Sequence, residues 1–150
     1  MAGTFTFLGI HFIFSTKNRV PLIDKEFQGQ LHQYIGGTVR GLKGKLIAVN
    51  SIPDHIHLYT TMPKTISVSK YMEIIKSASS KWIHQTFSDK KQFAWQEGYG
   101  AFSVSKSNET KVVEYIAQQE QHHHKKSFQE EFLEFLKAND IEYDEKYIWK

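Results

Sequence analysis

Two histidines, His55 and His57, flank a single isoleucine in a stretch rich in β-branched and aromatic residues. This composition predicts a β-strand, and alternate side chains of a strand leave the same face. Both imidazoles would therefore point the same way, while Ile56 points to the opposite face. Two neutral imidazoles so placed can chelate one divalent metal ion. A pair of polar side chains on a solvated strand face has the same spacing, so this motif alone leaves both interpretations open.

A second pair of polar residues, Tyr115 and Gln119, is four positions apart in a segment with helical character. Residues four apart share one face of a helix. A tyrosine hydroxyl can attack a phosphodiester and keep the bond energy in a phosphotyrosine ester, so resealing the strand needs no nucleotide cofactor. Because tyrosine has a pKa of about 10, it needs a cation to polarise the phosphate. A metal on His55 and His57, with an amide oxygen as a further ligand, would supply that cation.

Several stretches of the chain, in a consistent order, resemble the single-tyrosine HUH transposases of small insertion sequences, the IS200-like and REP-associated tyrosine transposases. The stretches are residues 53–58 (PDHIHL) followed by 63–70, residues 95–105 (WQEGYGAFSVS), residues 115–119 (YIAQQ) followed by His122 and His123, and the opening residues 11–19. The resemblance covers nearly the whole chain and is therefore more specific than any one motif.

The resemblance implies a role for each matching residue. Tyr115 would be the nucleophile, and His55 and His57 would bind magnesium or manganese. Gln119 would be the third protein ligand, and His122, which continues the face of Tyr115, is a candidate for a supporting role beside the metal. The family cleaves and rejoins single-stranded DNA at element ends through a 5′-phosphotyrosine, recognises hairpins near those ends and works as a homodimer. Whether Tyr115 acts in its own subunit or in its partner stays open.

The choice of metal is not settled by two imidazoles. Imidazole pairs suit zinc, nickel or copper at least as well as magnesium, which prefers oxygen ligands, whereas manganese accepts both ligand types. Purified protein could therefore carry a transition metal that is not the working ion.

Other functions compete with an active transposase. A host-retained relative that processes repeated DNA hairpins would carry the same residues, and genomic context would separate the two. A non-catalytic module that binds single-stranded nucleic acid would leave the coincidence of His55, His57, Tyr115 and Gln119 unexplained. A two-histidine phosphoesterase needs two His-x-Thr/Ser motifs, and residues 11–13 do not supply the second.

Basic and aromatic residues near the ends of predicted elements are candidates for DNA contacts, although an ordinary solvated rim is equally consistent with them. The basic candidates, which could form one edge, are Lys17, Arg19, Arg40, Lys43 and Lys45. Tyr99, between two glycines, is the candidate for stacking on an unpaired base and the rival nucleophile. Trp95 and Phe102 are expected in the core.

The chain has 150 residues, a formal net charge of +3 and no cysteine. This length predicts a single domain over residues 1–150, and the basic balance favours a polyanionic partner. The lack of cysteine excludes disulfides and thiolate metal sites. Because we recognise neither a signal peptide nor a stretch of about 20 apolar residues, we expect a cytoplasmic protein without a membrane partner, nucleoid-associated when bound to DNA.

The elements that must position these residues follow the order β-α-β-β-α-β(β)-α-α, in which β(β) is a short hairpin. Strands are predicted over residues 5–16, 45–52 and 55–62, with a hairpin over 93–105. Helices are predicted from caps at Asp24, Ser67 and Ser127, and a further helix from Asn108 or Thr110 to about residue 123. This order predicts an α+β fold in which helices cover an antiparallel sheet, as in a ferredoxin-like core.

Overall fold

The computed structural model of the protein describes residues 3–123 and 125–150, without the side chains of His122 and His123. Four strands form one antiparallel sheet in the order β2-β3-β1-β4: β1 (Gly9–Ser15), β2 (Lys45–Ile52), β3 (His55–Thr61) and β4 (Gly100–Val104). Five α-helices accompany it in the described residues: α1 (Lys25–Gly41), α2 (Val68–Thr86), α3 (Glu109–Ala117), α4 (Gln119–His123) and α5 (Phe128–Ala138). The predicted α+β, ferredoxin-like arrangement is confirmed.

Three helices begin at the predicted caps. Asp24, Ser67 and Ser127 each accept a hydrogen bond from the main-chain N–H three residues later, which satisfies one of the free donors of the first turn. Ser127 and Glu130 also form a reciprocal capping box. None of the helices in the described residues is long and apolar enough to cross a membrane.

The two faces of the sheet are covered by different helices. Phe12 and Phe14 of β1 lie fully buried on the face that packs against α1 and α2. The alternate residue Ile13 belongs to a second core on the opposite face, which α5 covers with Phe132 and Leu136. Gly100 of β4 permits this close packing, because a Cβ there would lie 2.7 Å from the Phe132 ring. The second face is the one that carries His55 and His57.

The first strand is shorter than predicted. It begins at Gly9 and not at Phe5, whose side chain is 94% exposed. Gly9 pairs with Thr61 and Val104, which are the last residues of β3 and β4. Leu8 still accepts from the Met62 N–H at 2.9 Å, but β3 and β4 have ended beside residues 5–8, and their apolar character alone does not make a strand.

The hairpin predicted over residues 93–105 is wrong. Only β4 is a regular strand there, and it pairs with β1. Upstream of it, Trp95 makes an isolated bridge to Thr16, and the N–H of Gln96 donates to the Ser15 oxygen at 2.9 Å. Both halves of the segment thus follow the same edge of β1, so they cannot fold back on each other.

The helix predicted to run to residue 123 is divided in two. Gln118 leaves helical geometry, with φ −101° and ψ 22°, between α3 and α4. The carbonyls of Ile116 and Ala117 accept from the Asn50 amide, at 2.9 and 3.5 Å, instead of serving a continuous helix. The break therefore coincides with a contact from β2.

Candidate active site

Strand β3 delivers His55 and His57 to the second face of the sheet, as the alternation of its side chains predicted. Both side chains have no exposed surface. Their neighbours on β1 in the pairing register are Ser15 and Ile13. The alternative of a solvated strand face is therefore wrong, because two imidazoles buried at a helix-covered surface need polar partners within the protein.

Glu131 of α5 supplies the main partner of the histidine pair. Its Oε1 lies 3.0 Å from Nε2 of His57 and 3.3 Å from Nε2 of His55. Glu131 is 1% exposed and lies among the aromatic residues of α5. Our sequence analysis did not identify this residue. A charged residue in the apolar stripe of an amphipathic helix was the signal that could have found it.

The far ring nitrogen of each histidine also has a partner. Nδ1 of His55 lies 2.7 Å from Oδ1 of Asp54, and Nδ1 of His57 lies 2.9 Å from Nε2 of His11. Burial alone would lower the pKa of His55, but Asp54 and Glu131 outweigh it and raise that pKa. Burial, followed by the neighbouring His57, lowers the pKa of His11 to about 3. Contacts on both sides therefore fix the orientation of the two rings.

Tyr115 reaches the same carboxylate from α3. Its hydroxyl donates to Oε2 of Glu131, and its ring centroid lies 5.9 Å from that of His57. Burial, and then the Glu131 carboxylate, raise the pKa of Tyr115 well above its usual range, while a hydrogen bond from Gln119 acts in the opposite direction. The phenol is thus held protonated beside the histidine pair.

Gln119 lies in the same buried cluster. Gln119 has no exposed surface, and its Nε2 donates to the main-chain oxygen of Tyr115 at 3.3 Å. The contacts described for this amide are therefore with Tyr115, and its role as a metal ligand stays a prediction. The side chain of His122 and the whole of His124 lie outside the described residues, so the role suggested for His122 also stays a prediction.

The donor set fits a divalent metal ion. One ligand atom each from His55, His57 and Glu131 can be chosen so that all three lie within 4.8 Å of one another. Two imidazoles and a carboxylate are ligand types that manganese accepts, and the carboxylate is the type that magnesium prefers.

Helix α3 is attached to the sheet at both ends. The Tyr59 hydroxyl, on the same strand as the histidines, donates to Oε2 of Glu109 at 2.9 Å. Burial and the Glu109 carboxylate raise the pKa of Tyr59 to about 12. At the other end, Nδ2 of Asn50 donates to the carbonyl of Ile116 at 2.9 Å. These contacts set the position of Tyr115 relative to the histidine pair.

A cleft of about 270 Å³ adjoins Tyr115. Lys126 and Phe135 line it, together with Glu134, whose carboxylate lies 2.7 Å from the Lys126 ammonium. The half-buried tyrosine therefore borders both this open cleft and the buried histidines.

The basic candidates do not form one edge. Lys45 is in register with Gly9 at the beginning of β1, whereas Lys17 and Arg19 follow the end of that strand. Arg40 and Lys43 lie with Lys45, at the end of α1 and the start of β2, and all three are exposed. The five residues are thus divided between the two ends of the sheet, and what each binds stays a prediction.

Tyr99, the aromatic candidate for base stacking, lies away from the histidine pair. Tyr99 is half-buried and packs beside the core formed with α1 and α2, with the Lys76 ammonium 5.9 Å from its ring centroid. It therefore lies on the other side of the sheet from Tyr115. Trp95 and Phe102 are buried in the core, as expected.

Comparison of folds finds the same fold in two solved structures. A candidate transposase from Deinococcus radiodurans R1 has a TM-score of 0.66 and 22% identity, covering 79% of this chain and 95% of its own. A REP-associated tyrosine transposase bound to a REP hairpin has a TM-score of 0.59 and 19% identity, covering 82% and 74% of the two chains. The four-stranded sheet with its helices is thus the single-tyrosine transposase fold.

Sequence comparison specifies the family. Residues 4–119 match the model of the family described as transposase IS200 like. The transposases for insertion sequence element IS200 of Salmonella typhimurium strain LT2 and of Salmonella typhi are each 29% identical over an alignment of 118 positions, which covers 73% of this chain and 74% of theirs. The chain belongs to the IS200-like transposase family. Membership assigns it to the enzymes that cleave DNA during transposition.

Proposed function

We propose that this protein cuts and rejoins single-stranded DNA through a covalent link to Tyr115, with a divalent metal at His55 and His57. The observation that carries the proposal is the position of Tyr115. Its ring centroid lies 5.9 Å from that of His57 in the same chain. A nucleophile and a metal-binding pair at this separation can act on one phosphate group.

The reaction we propose begins with attack of the Tyr115 oxygen on a DNA phosphate. The oxygen–phosphorus bond forms as the bond to the 3′ oxygen breaks, while the phenol loses its proton and the 3′ oxygen gains one. The strand is left with a free 3′-hydroxyl and a 5′-phosphotyrosine, and the reverse step rejoins it. A bound Mg²⁺ or Mn²⁺ would stabilise the negative charge that develops on the phosphate.

The chain's own residues support this chemistry by holding the reacting groups in place. Asp54 and His11 orient the two imidazoles from behind, and Gln119 hydrogen-bonds the nucleophile. We also propose Gln119 as a metal ligand, since it is fully buried like His55 and His57. The cleft lined by Lys126 offers the approach for a negatively charged strand.

We further propose that the substrate carries hairpins and that the protein acts as a homodimer. The hairpin is supported by the neighbouring fold, a REP-associated tyrosine transposase, which is described in complex with a REP hairpin. A dimer could hold two element ends at once, and dimers are the commonest oligomers. Arg40, Lys43 and Lys45, exposed at one end of the sheet, are the first candidates for hairpin phosphates.

The test is covalent capture. Single-stranded oligonucleotides that carry the hairpins flanking the protein's own gene are labelled at the 3′ or the 5′ end and incubated with the protein and Mn²⁺. A 5′-phosphotyrosine predicts label on the protein from the 3′-labelled strand, and a shortened free fragment from the 5′-labelled strand. Tyr115→Phe, which removes only the hydroxyl, should give neither product.

Tyr99→Phe is the matched control, because it removes the rival phenol on the other side of the sheet. It should form the adduct at the rate of the unaltered protein. An adduct that survives in Tyr115→Phe and disappears in Tyr99→Phe would refute the assignment of the nucleophile.

A host-retained processing enzyme would use the same residues on different DNA. Oligonucleotides with repeated extragenic hairpins, tested beside the element ends, separate the two activities by the DNA that is cut. A module that only binds nucleic acid would shift both oligonucleotides in a gel and form no covalent product with either.

A further inference from the structure

We propose that Glu131 is a further metal ligand, a carboxylate that joins the imidazoles of His55 and His57 and the amide proposed above for Gln119. This inference rests on the proposed function only in assuming that the site takes a divalent metal. It adds a donor that the family match does not cover, because that match ends at residue 119 and Glu131 lies in α5.

The spacing of the donor atoms supports this assignment. In an octahedral site with metal–ligand bonds of about 2.1 Å, adjacent ligand atoms lie about 3.0 Å apart. Oε1 of Glu131 is 3.0 Å from Nε2 of His57 and 3.3 Å from Nε2 of His55. The Glu131 oxygen thus lies as far from each imidazole nitrogen as one metal ligand lies from the next. Both histidines face it with Nε2, while their Nδ1 atoms contact Asp54 and His11.

The burial of Glu131 points in the same direction. A carboxylate within a protein is costly unless a positive charge or several hydrogen bonds compensate for it. Glu131 is 1% exposed and stands one turn after Phe128 and directly before Phe132, in the stripe of α5 that packs on the sheet. The Tyr115 hydroxyl and the two imidazoles already contact this carboxylate, and a divalent ion among Glu131, His55 and His57 would balance its negative charge.

A carboxylate ligand also bears on which metal the site prefers. An imidazole pair alone favours nickel or zinc over manganese, whereas a carboxylate oxygen raises the relative affinity for the harder ions. The second oxygen, Oε2, accepts the hydroxyl of Tyr115. One side chain would therefore bind the ion and orient the nucleophile beside it.

The experiment compares metal affinities by calorimetry without DNA. Mn²⁺ and Ni²⁺ are titrated into the unaltered protein, Glu131→Gln and the control Glu73→Gln, which removes an exposed carboxylate of α2 on the other side of the sheet. Glu131→Gln should weaken Mn²⁺ binding at least roughly tenfold. Ni²⁺ binding should weaken by a smaller factor, because the imidazoles dominate it. Glu73→Gln should leave both affinities unchanged.

Unchanged Mn²⁺ affinity in Glu131→Gln, or an equal loss for both metals, would overturn the assignment, since a purely structural role affects both ions alike. The unaltered protein gives a second measurement that does not depend on how a variant folds. Anomalous scattering from crystals grown with Mn²⁺ should place the ion about 2.2 Å from a Glu131 oxygen. An ion bound by His55 and His57 without Glu131 would refute the proposal.

These outcomes are separate from those of the covalent-capture test. If metal binding depends on Glu131 but no adduct forms, the proposed reaction is refuted and Glu131 remains assigned as a metal ligand. If an adduct forms through Tyr115 but Mn²⁺ affinity does not depend on Glu131, the reaction is supported and Glu131 is not a metal ligand.

Discussion

Nε2 of His11 lies 2.9 Å from Nδ1 of His57, on the side of that imidazole opposite Glu131. The two rings are stacked, with centroids 5.1 Å apart. Because its pKa is lowered to about 3, His11 remains neutral and keeps one nitrogen that can accept a hydrogen bond. With a metal bound at Nε2 of His57, its Nδ1 would carry the proton, and the neutral His11 could accept a hydrogen bond from it.

The first prediction follows from this contact. His11→Phe keeps an aromatic ring in the buried position and removes the acceptor. We expect it to weaken Mn²⁺ binding by roughly 10–100-fold, the usual effect of losing the outer partner of a histidine ligand. Calorimetric titration measures the change, and circular dichroism checks that the fold is retained.

His11→Gln is the companion variant, because its amide oxygen can accept from His57. We expect it to retain more Mn²⁺ affinity than His11→Phe. Equal affinity in His11→Phe and the unaltered protein would contradict the role assigned to His11.

The second prediction concerns the attachment of α3 to β2. Asn50→Ala removes the donor that serves the carbonyls of Ile116 and Ala117, in a half-buried position. We expect the free energy of unfolding to fall by about 1–2 kcal/mol, as for other partly buried hydrogen bonds. We also expect slower adduct formation, because Tyr115 lies directly before Ile116. Urea unfolding and the covalent-capture assay measure the two effects.

Asn139→Ala is a matched control for this prediction. The Asn139 amide also donates to a helix carbonyl, that of Phe135 at 2.8 Å, but at an exposed helix end. Asn139→Ala should lower the free energy of unfolding by a few tenths of a kcal/mol or less, and it should leave the rate of adduct formation unchanged. If both variants lose the same stability and activity, the contact from Asn50 has no special role.

Features that depend on near neighbours in the chain could be predicted from the sequence. The helix caps at Asp24, Ser67 and Ser127 arise from hydrogen bonds that span three residues. The shared face of His55 and His57 follows from the alternation of side chains along one strand. Both features were predicted, and the structure confirms them.

Features that depend on distant segments could not be predicted in this way. The contact of Glu131 with His57 joins residues 74 positions apart and depends on how α5 packs across the sheet. The sequence of residues 93–105 predicts a hairpin around residues 98–100, but both halves of this segment lie along the edge of β1. The division of the basic residues between two ends of the sheet likewise required the pairing register.

The third prediction concerns whether the tyrosine acts within its own subunit. Contacts from Tyr59 and Asn50 attach both ends of α3 to the sheet of the same chain, and the hydroxyl of Tyr115 meets the Glu131 of that chain. We therefore expect Tyr115 to act in cis. When Tyr115→Phe and His57→Ala subunits are mixed, no covalent adduct should form beyond the sum of the separate proteins.

The control for mixing is a direct measurement of subunit exchange. Two differently tagged forms of the unaltered protein are combined under the assay conditions, and sedimentation and co-purification show whether mixed dimers form. With exchange established, a composite site built from two chains would restore cleavage, since each mixed dimer would contain one intact tyrosine and one intact histidine pair. Restored adduct formation would mean that α3 leaves the sheet described above and serves the partner subunit. Its absence would mean that the contacts of Tyr59 and Asn50 with α3 persist in the working enzyme.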